Sequence, residues 1–268
     1  MASPPNLPAA FLRHSAADPE EPWLFRAEEW DWRWHPWGEL ARWLNVWSER
    51  LSAFPAATRA SFLDRFHPES AVLDLAIQAA GLLSVPASGP QGEIDLWIEI
   101  ENGGLKTSLP VPLSPRQANG DAGGAVVRIG DGEVTWTAAD LIAAGERLQH
   151  VIGTSGGREI VVLGGPLVDP VERSMMSWAT LTGAAVVLEP DPALRAATAA
   201  WARPTLFHGT PGEIAALRAR AGKGRKGWLP FRRLRTLLVV GDLPAEEDAF
   251  WRERGVAVRR VQASLAFE

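Results

Sequence analysis

Three short apolar runs constrain this chain most: Ile160-Val-Val-Leu163, Ala184-Ala-Val-Val-Leu188 and the Leu206-Phe-His208 stretch inside Arg203 to Pro211. Each is bounded by Gly or Pro, and segments of helical length lie between them, which is the pattern of βαβ units carrying a parallel sheet. Downstream the alternation continues as a helix from Pro211 to Ala221, a strand at 235–241, a helix at 244–254 and a strand at 256–261. The expected fold class is therefore α/β, with a mainly parallel sheet from about Ala125 to Val261, flanking helices, and a smaller N-terminal layer packed on it. Residues 1–124 read as a Trp-rich α/β layer with a loop and 125–268 as the βαβ-repeating part, either as two units or as one continuous domain.

The N-terminal layer is marked by its indoles. Trp30, Trp32 and Trp34 alternate with Asp31 and Arg33, which puts them on one face of a strand. Trp37, Leu40, Trp43 or Leu44, Trp47 and Leu51 recur at helical spacing between Trp37 and Phe54. These indoles read either as core, filling the space between helix and sheet, or as an aromatic surface for a partner, an acyl chain or a membrane interface. Thr58 to Leu63 reads as a strand, His67 to Leu83 as a helix, and Ser84-Val-Pro-Ala87 as a strand end. Residues 93–100 alternate as a half-buried strand, and 102–124 is a Gly, Pro and Ser-rich run, a long loop or a lid. Ala125 to Ile129 and Glu133 to Trp136 fit a hairpin, and Thr137 with Asp140 fits the capped start of a helix.

Composition excludes several chemistries. There is no Cys, so disulfides, thiolate catalysis and Cys-based zinc sites are absent. His14, His35, His67, His150 and His208 form no ligand-spaced pair. A formal net charge of -5 gives no bulk attraction to nucleic acid, and the basic run Lys223 to Arg233 reads as a solvated loop or a binder of phosphate or of an acidic partner. No apolar stretch reaches the roughly 18 residues of a membrane span, and the N-terminus lacks a signal-peptide pattern. A cytoplasmic protein is expected.

The central stretch also resembles a known family. An apolar strand followed by Pro166-Leu167, then Val171-Glu-Arg-Ser174, a helix closing on Gly183-Ala184, an apolar strand, Arg203-Pro-Thr205 and Gly209-x-Pro-x-Glu213 are similar to the middle of the AMP-binding, adenylate-forming superfamily. The bacterial long-chain acyl-CoA synthetases are the nearest resemblance within it. Ser84-Val-Pro86 after a helix and a Gly is a second point of similarity. The resemblance covers most of this chain but only the first part of such an enzyme, and implies the fold of the N-terminal subdomains of acyl-CoA synthetases.

The resemblance also implies groups that this sequence does not carry. Such enzymes have a phosphate loop similar to Ser/Thr-Ser-Gly-Thr-Thr-Gly-x-Pro-Lys-Gly, just before a Thr/Ser-His-x-Asn-Leu helix start. The corresponding place here is Ala118 to Leu141, where Ala139-Asp-Leu141 replaces the helix start and the loop has no Lys and none of the hydroxyls. Gly120, Gly123 and Gly124 remain, and Asp121 and Asp131 would repel a triphosphate. Thr154-Ser-Gly-Gly157 looks like the start of such a loop, but its place in the order makes it an ordinary turn. The Tyr-Gly-x-Thr-Glu motif, whose Thr and Glu meet phosphate and magnesium, is reduced at 263–268 to Glu268, the one metal candidate by motif position. The chain reaches Glu268 without the ribose-binding Asp, the hinge or the C-terminal domain with its Lys.

What the resemblance implies is thus a non-catalytic, acyl-CoA synthetase-like protein that binds a partner or an acyl or nucleotide ligand. The alternative is an ATP-dependent acid-CoA ligase, alone or as half of a split enzyme. No catalytic residue is assigned. Candidates to border a remnant pocket, at expected strand ends, are Gly164, Pro166, His208, Gly209, Thr210, Gly241 and Glu268, with His208 also readable as a core or turn histidine. ATP and Mg2+ are expected cofactors only if activity is retained. Expected partners are a full-length synthetase, the missing C-terminal half, or a second copy of the chain, with no nucleic acid.

Overall fold

The computed structural model describes residues 5–28, 31–64, 67–87, 95–101, 104–108, 123–129, 131–153, 158–222 and 229–261. Two mainly parallel sheets face each other across a layer of helices. Helix α1 (Leu7–Ala17) leads into the hairpin β1 (Pro22–Glu28) and β2 (Asp31–Pro36), then α2 (Trp37–Leu51), β3 (Arg59–Leu63), α3 (Pro68–Ala79), β4 (Leu83–Ala87), β5 (Leu96–Glu101), β6 (Gly104–Ser108), β7 (Ala125–Ile129) and β8 (Gly132–Trp136). The rest is α4 (Ala138–Ile152), β9 (Ile160–Leu163), α5 (Pro170–Thr182), β10 (Ala185–Leu188), α6 (Pro192–Ala202), β11 (Leu206–Gly209), α7 (Pro211–Ala221), a short 3-10 turn (Leu229–Phe231), β12 (Thr236–Val240), α8 (Ala245–Arg252) and β13 (Ala257–Val261).

One sheet has the order β13-β12-β11-β9-β10-β1-β2 and the other β6-β5-β3-β4-β7-β8. All pairings are parallel except the three hairpins β1/β2, β5/β6 and β7/β8. The α/β class and the expected strands and helices of the central stretch are in place. A division at residue 124 does not follow the sheets. The hairpin β1/β2 adds to the C-terminal sheet, with Phe25 opposite Val187, while β7 and β8 close the N-terminal sheet beside β4. One continuous hydrophobic core spans both.

Alternate residues of the apolar runs divide between two cores, as the two-residue strand period requires. Val161, Leu163, Val186, Leu188 and Leu206 face the middle layer. Val162, Val187, Phe207, Leu237 and Val239 face outward, onto α6, α7 and α8. The middle layer includes α3 and α5, which bury nearly every residue, as a helix enclosed on all sides must. Helix α5 starts where Asp169 Oδ1 accepts from the backbone N–H of Val171 and Glu172, with Pro170 in its first turn, and stops at the left-handed Gly183, φ 76°.

The N-terminal indoles are mostly core. Trp23, Trp37 and Trp47 are fully buried, and Trp23 stacks on Trp37 at 4.7 Å. Trp34 departs from that reading at 52% exposed, and Trp30 lies outside the described residues. The run 102–124 contains a strand that periodicity did not signal, β6, whose Lys106 pairs with Glu99 and Glu101 of β5. An edge strand of this kind is half-solvated on both faces and carries no apolar alternation.

Candidate functional site

In an open α/β sheet the binding crevice lies at the carboxyl ends of the strands, where the strand order reverses. In the seven-stranded sheet that point is β9, since β10 lies on one side of it and β11 on the other. Gly164 and Pro166 follow β9, His208 and Gly209 end β11, Thr210 begins the next turn, and Gly241 follows β12. Six of the seven sequence candidates therefore stand on one edge of one sheet. Glu268 and the rest of 262–268 lie outside the described residues, as do 109–122 and Thr154 to Gly157.

The chain's own charges line the crevice. From α5 on the inner face, Glu172 Oε1 reaches within 3.1 Å of His208 Nδ1. From α6 on the outer face, Arg195 Nη2 donates to the carbonyl of His208 at 2.8 Å and Nη1 to Glu213 Oε1 at 2.7 Å. Glu213 in turn accepts from the backbone N–H and hydroxyl of Thr210, a capping box that starts α7. Glu189, at the end of β10, accepts from Thr198 Oγ1 at 2.8 Å.

Two glycines make room for these side chains. A Cβ on Gly164 would lie 2.4 Å from Arg195 Nε, and one on Gly165 would lie 2.5 Å from Glu172 Cγ. The guanidinium and the carboxyl thus pack directly on bare backbone. Burial alone pushes the Glu172 carboxyl up; the His208 imidazole, the Arg195 charge and the Gly165 N–H outweigh it and hold the group below the ordinary carboxylate value. Glu213 is displaced the same way, burial being outweighed by the Thr210 backbone N–H, the Arg195 charge and the Thr210 hydroxyl.

Three atoms of this cluster, Glu172 Oε2, Arg195 Nε and His208 Nε2, are buried with no hydrogen-bond partner among the described residues. Each costs about 1–3 kcal/mol if it stays unmet, so the cluster has capacity for a water or a small polar ligand. Sequence reasoning placed the strand ends at the pocket; it quoted Glu172 and Glu213 only as parts of motifs and did not single out Arg195. One signal was available for Arg195, a lone charge in the Ala-rich segment Pro192-Ala-Leu-Arg-Ala-Ala-Thr-Ala-Ala200.

Arg173, adjacent to Glu172, points the other way, into the middle layer. Its Nη1 meets Asp74 Oδ2 at 2.5 Å and its Nε meets the carbonyl of Leu167 at 2.9 Å. Asp74 also accepts from Ser84 Oγ at 2.5 Å and Gln78 Nε2 at 2.8 Å. The Glu-Arg pair that opens α5 therefore serves both sheets, one charge at the crevice and one tying α5 to α3 and β4.

Ahead of the helix start at Thr137, where the resemblance places a phosphate loop, the described chain is the hairpin β7/β8. Its ladder runs to Ile129 opposite Gly132, leaving two residues between the strands. Gly123 and Gly124 have structural tasks: a Cβ on Gly123 would lie 3.0 Å from the Gln78 carbonyl, and the Gly124 carbonyl accepts from Ser84 N. Among the described residues no group of three or more His, Asp or Glu side chains is placed to hold a metal ion. A separate cleft of about 520 Å³ opens at the other sheet's switch point, lined by Arg26, His67, Glu69, Trp97, Glu99 and Glu101 among others.

No protein-family model matches the sequence, and no curated protein matches it. Solved structures do. The nonribosomal peptide synthetase FmoA3 is similar over 96% of this chain and 31% of its own, with TM-score 0.72 and 17% identity. The fold is that of the N-terminal region of adenylate-forming enzymes. The N-terminal domain of FACL13 from Mycobacterium tuberculosis is similar over 96% of this chain and 75% of its own, with TM-score 0.72 and 11% identity. O-succinylbenzoate coenzyme A synthetase (MenE) from Bacillus subtilis gives TM-score 0.70 and 13% identity over 94% of this chain and 61% of its own. The chain thus spans about a third of FmoA3 and about three fifths of MenE while keeping the adenylate-forming fold almost end to end. No helix among the described residues is long and apolar enough to cross a membrane.

Proposed function

We propose that this chain is a non-catalytic protein with an adenylate-forming fold, which binds a protein partner or an acyl or nucleotide ligand through that fold. The observation that carries the reading is the hairpin β7/β8, closed by two residues inside the stretch Ala118 to Leu141 that the resemblance aligns with the phosphate loop and helix start. Activation of a carboxylate by ATP depends on positioned phosphate donors and metal, each worth orders of magnitude in rate. A two-residue connection of Gly130 and Asp131 supplies neither a hydroxyl nor a Lys, and its one side chain is an acid.

The switch point supports the same reading. Glu172, Arg195 and His208 line the crevice from both faces, and three of their polar atoms without a partner among the described residues could meet a polar group of a ligand. The test is ATP–pyrophosphate exchange with a panel of fatty and aromatic acids, beside calorimetric titration of ATP–magnesium. The expected result is no exchange. Exchange above background, by the chain alone or after addition of a polypeptide carrying the C-terminal half of a ligase, would overturn the proposal in favour of an acid-CoA ligase. ATP binding without exchange would make the retained ligand a nucleotide.

A further inference from the structure

The six-stranded sheet has a crevice of its own. Strand β3 lies between β5 and β4, parallel to both, and the cleft of about 520 Å³ opens at its carboxyl end. Open α/β sheets bind ligands at such places, and the volume falls within the roughly 300–1,000 Å³ common to ligand sites.

Three features of its wall point to one chemistry. The first is an open strand edge. Strand β5 pairs with β3 only as far as Phe62 opposite Ile98, whereas its pairing with β6 runs on to Glu101 opposite Gly104. Residues 99–101 therefore outlast β3, and they line the cleft. Successive residues of a strand turn their N–H and C=O groups to opposite sides, so β6 takes only alternate ones and the others face the space beyond the end of β3.

The second feature is the floor, made by the buried Phe62, Leu73 and Ile98 of β3, α3 and β5. The third is Arg26. It comes from β1 of the other sheet, on the same strand face as Leu24, which packs in the middle layer. Its side chain is half-buried and has no acid in ion-pair range among the described residues. The acids of the wall have partners: Glu99 and Glu101 meet Lys106 Nζ at 3.6 and 3.1 Å, and Glu69 Oε2 lies 3.3 Å from His67 Nδ1. Arg26 is thus the charge in this wall that lacks a counter-ion, and a guanidinium matches a carboxylate through two parallel hydrogen bonds.

We propose that this cleft takes the free carboxyl end of a peptide whose last residue is apolar. The carboxylate pairs with Arg26, the last side chain rests on Phe62, Leu73 and Ile98, and the preceding backbone adds to the open edge of β5 at residues 99–101, as peptides do at exposed sheet edges. A fatty or aryl acid satisfies Arg26 and the floor but leaves the strand edge unpaired. The site offers a place for a protein partner and does not depend on the crevice at β9 and β11, which belongs to the other sheet. The outcome of the pyrophosphate exchange assay therefore neither supports nor overturns it.

Fluorescence polarisation of a fluorescein-labelled pentapeptide ending in leucine and phenylalanine, titrated with the full chain, tests the proposal. The free acid is expected to bind. Its carboxamide is expected to bind about tenfold or more weakly, because the charged hydrogen bonds to Arg26 are lost. Methylation of the last peptide nitrogen, which blocks strand pairing, is expected to weaken binding about three- to tenfold. These comparisons use the unaltered protein, so none depends on a variant folding. On the protein side, Arg26→Leu is expected to abolish the difference between acid and amide, and Arg26→Lys to keep part of it. No polarisation change up to millimolar chain overturns the proposal, as do equal affinities for acid and amide or a difference that survives Arg26→Leu. Displacement of the label by 3-phenylpropionate as effectively as by unlabelled peptide overturns it too, in favour of a small-acid site.

Discussion

Glu172 Oε1 and His208 Nδ1 lie 3.1 Å apart, joining the first turn of α5 to the end of β11. Both side chains are buried, at 2% and 7% exposed, and Arg195 reaches the same strand end from the opposite face of the sheet. The contact fixes what occupies the switch point. It also makes the crevice sensitive to changes in either partner.

Replacing Glu172 by Ala leaves the His208 and Arg195 groups without their buried acid and is expected to lower unfolding free energy by about 3–5 kcal/mol. Glu172→Gln keeps the shape and is expected to cost less, about 1–3 kcal/mol. Urea denaturation of the two variants against wild type measures both.

The same contact predicts a pH dependence. Glu172 is held below its ordinary value in the fold, so the folded chain binds fewer protons at this group than the unfolded one. Its stabilisation is therefore present above the unfolded Glu value of about 4.3 and is lost as the pH falls through the lower folded value. The difference in stability between wild type and Glu172→Gln should be level from neutral pH down to about 5 and shrink below that. A difference that grows on acidification would contradict the assignment.

Gly165→Ala places a methyl against Glu172, the source of the three nearest contacts, and is expected to destabilise by about 1–3 kcal/mol. Combined with Glu172→Ala the added methyl has space, so the double variant should be clearly more stable than the sum of the single changes implies. Thermal unfolding of the four proteins completes the cycle.

Asp74→Ala should be among the most damaging changes away from the crevice. It strands the buried Arg173 guanidinium, and with it the Ser84 and Gln78 donors, at a cost of about 3–5 kcal/mol. Replacing Asp74 and Arg173 together by apolar residues of similar volume should recover much of that loss. Chemical denaturation separates the two outcomes.

Thr210→Ala removes a hydroxyl that both caps α7 and meets Glu213, and is expected to cost about 1 kcal/mol. Far-ultraviolet circular dichroism during melting reads it, and Thr210→Ser should restore most of the loss.

Local pattern in the sequence determined the strands and helices of 159–261, their parallel arrangement, and the strand ends where Gly164, His208, Gly209 and Thr210 stand. Those features depend on residue periodicity, on Gly and Pro positions and on helix caps, all of which act within a few residues. Only the tertiary structure decided that β1 pairs with β10, that β7 and β8 close the other sheet, and that Glu172, Arg195 and Glu213 converge on the crevice. Strand order and the meeting of side chains from three helices depend on contacts between residues far apart in the chain. No local pattern encodes which apolar face will cover which, because every strand with the same alternation offers the same face. Trp34 shows the limit from the other side: its alternation with Arg33 places it on a strand face, and only the tertiary structure decided that this position of the face stays 52% exposed.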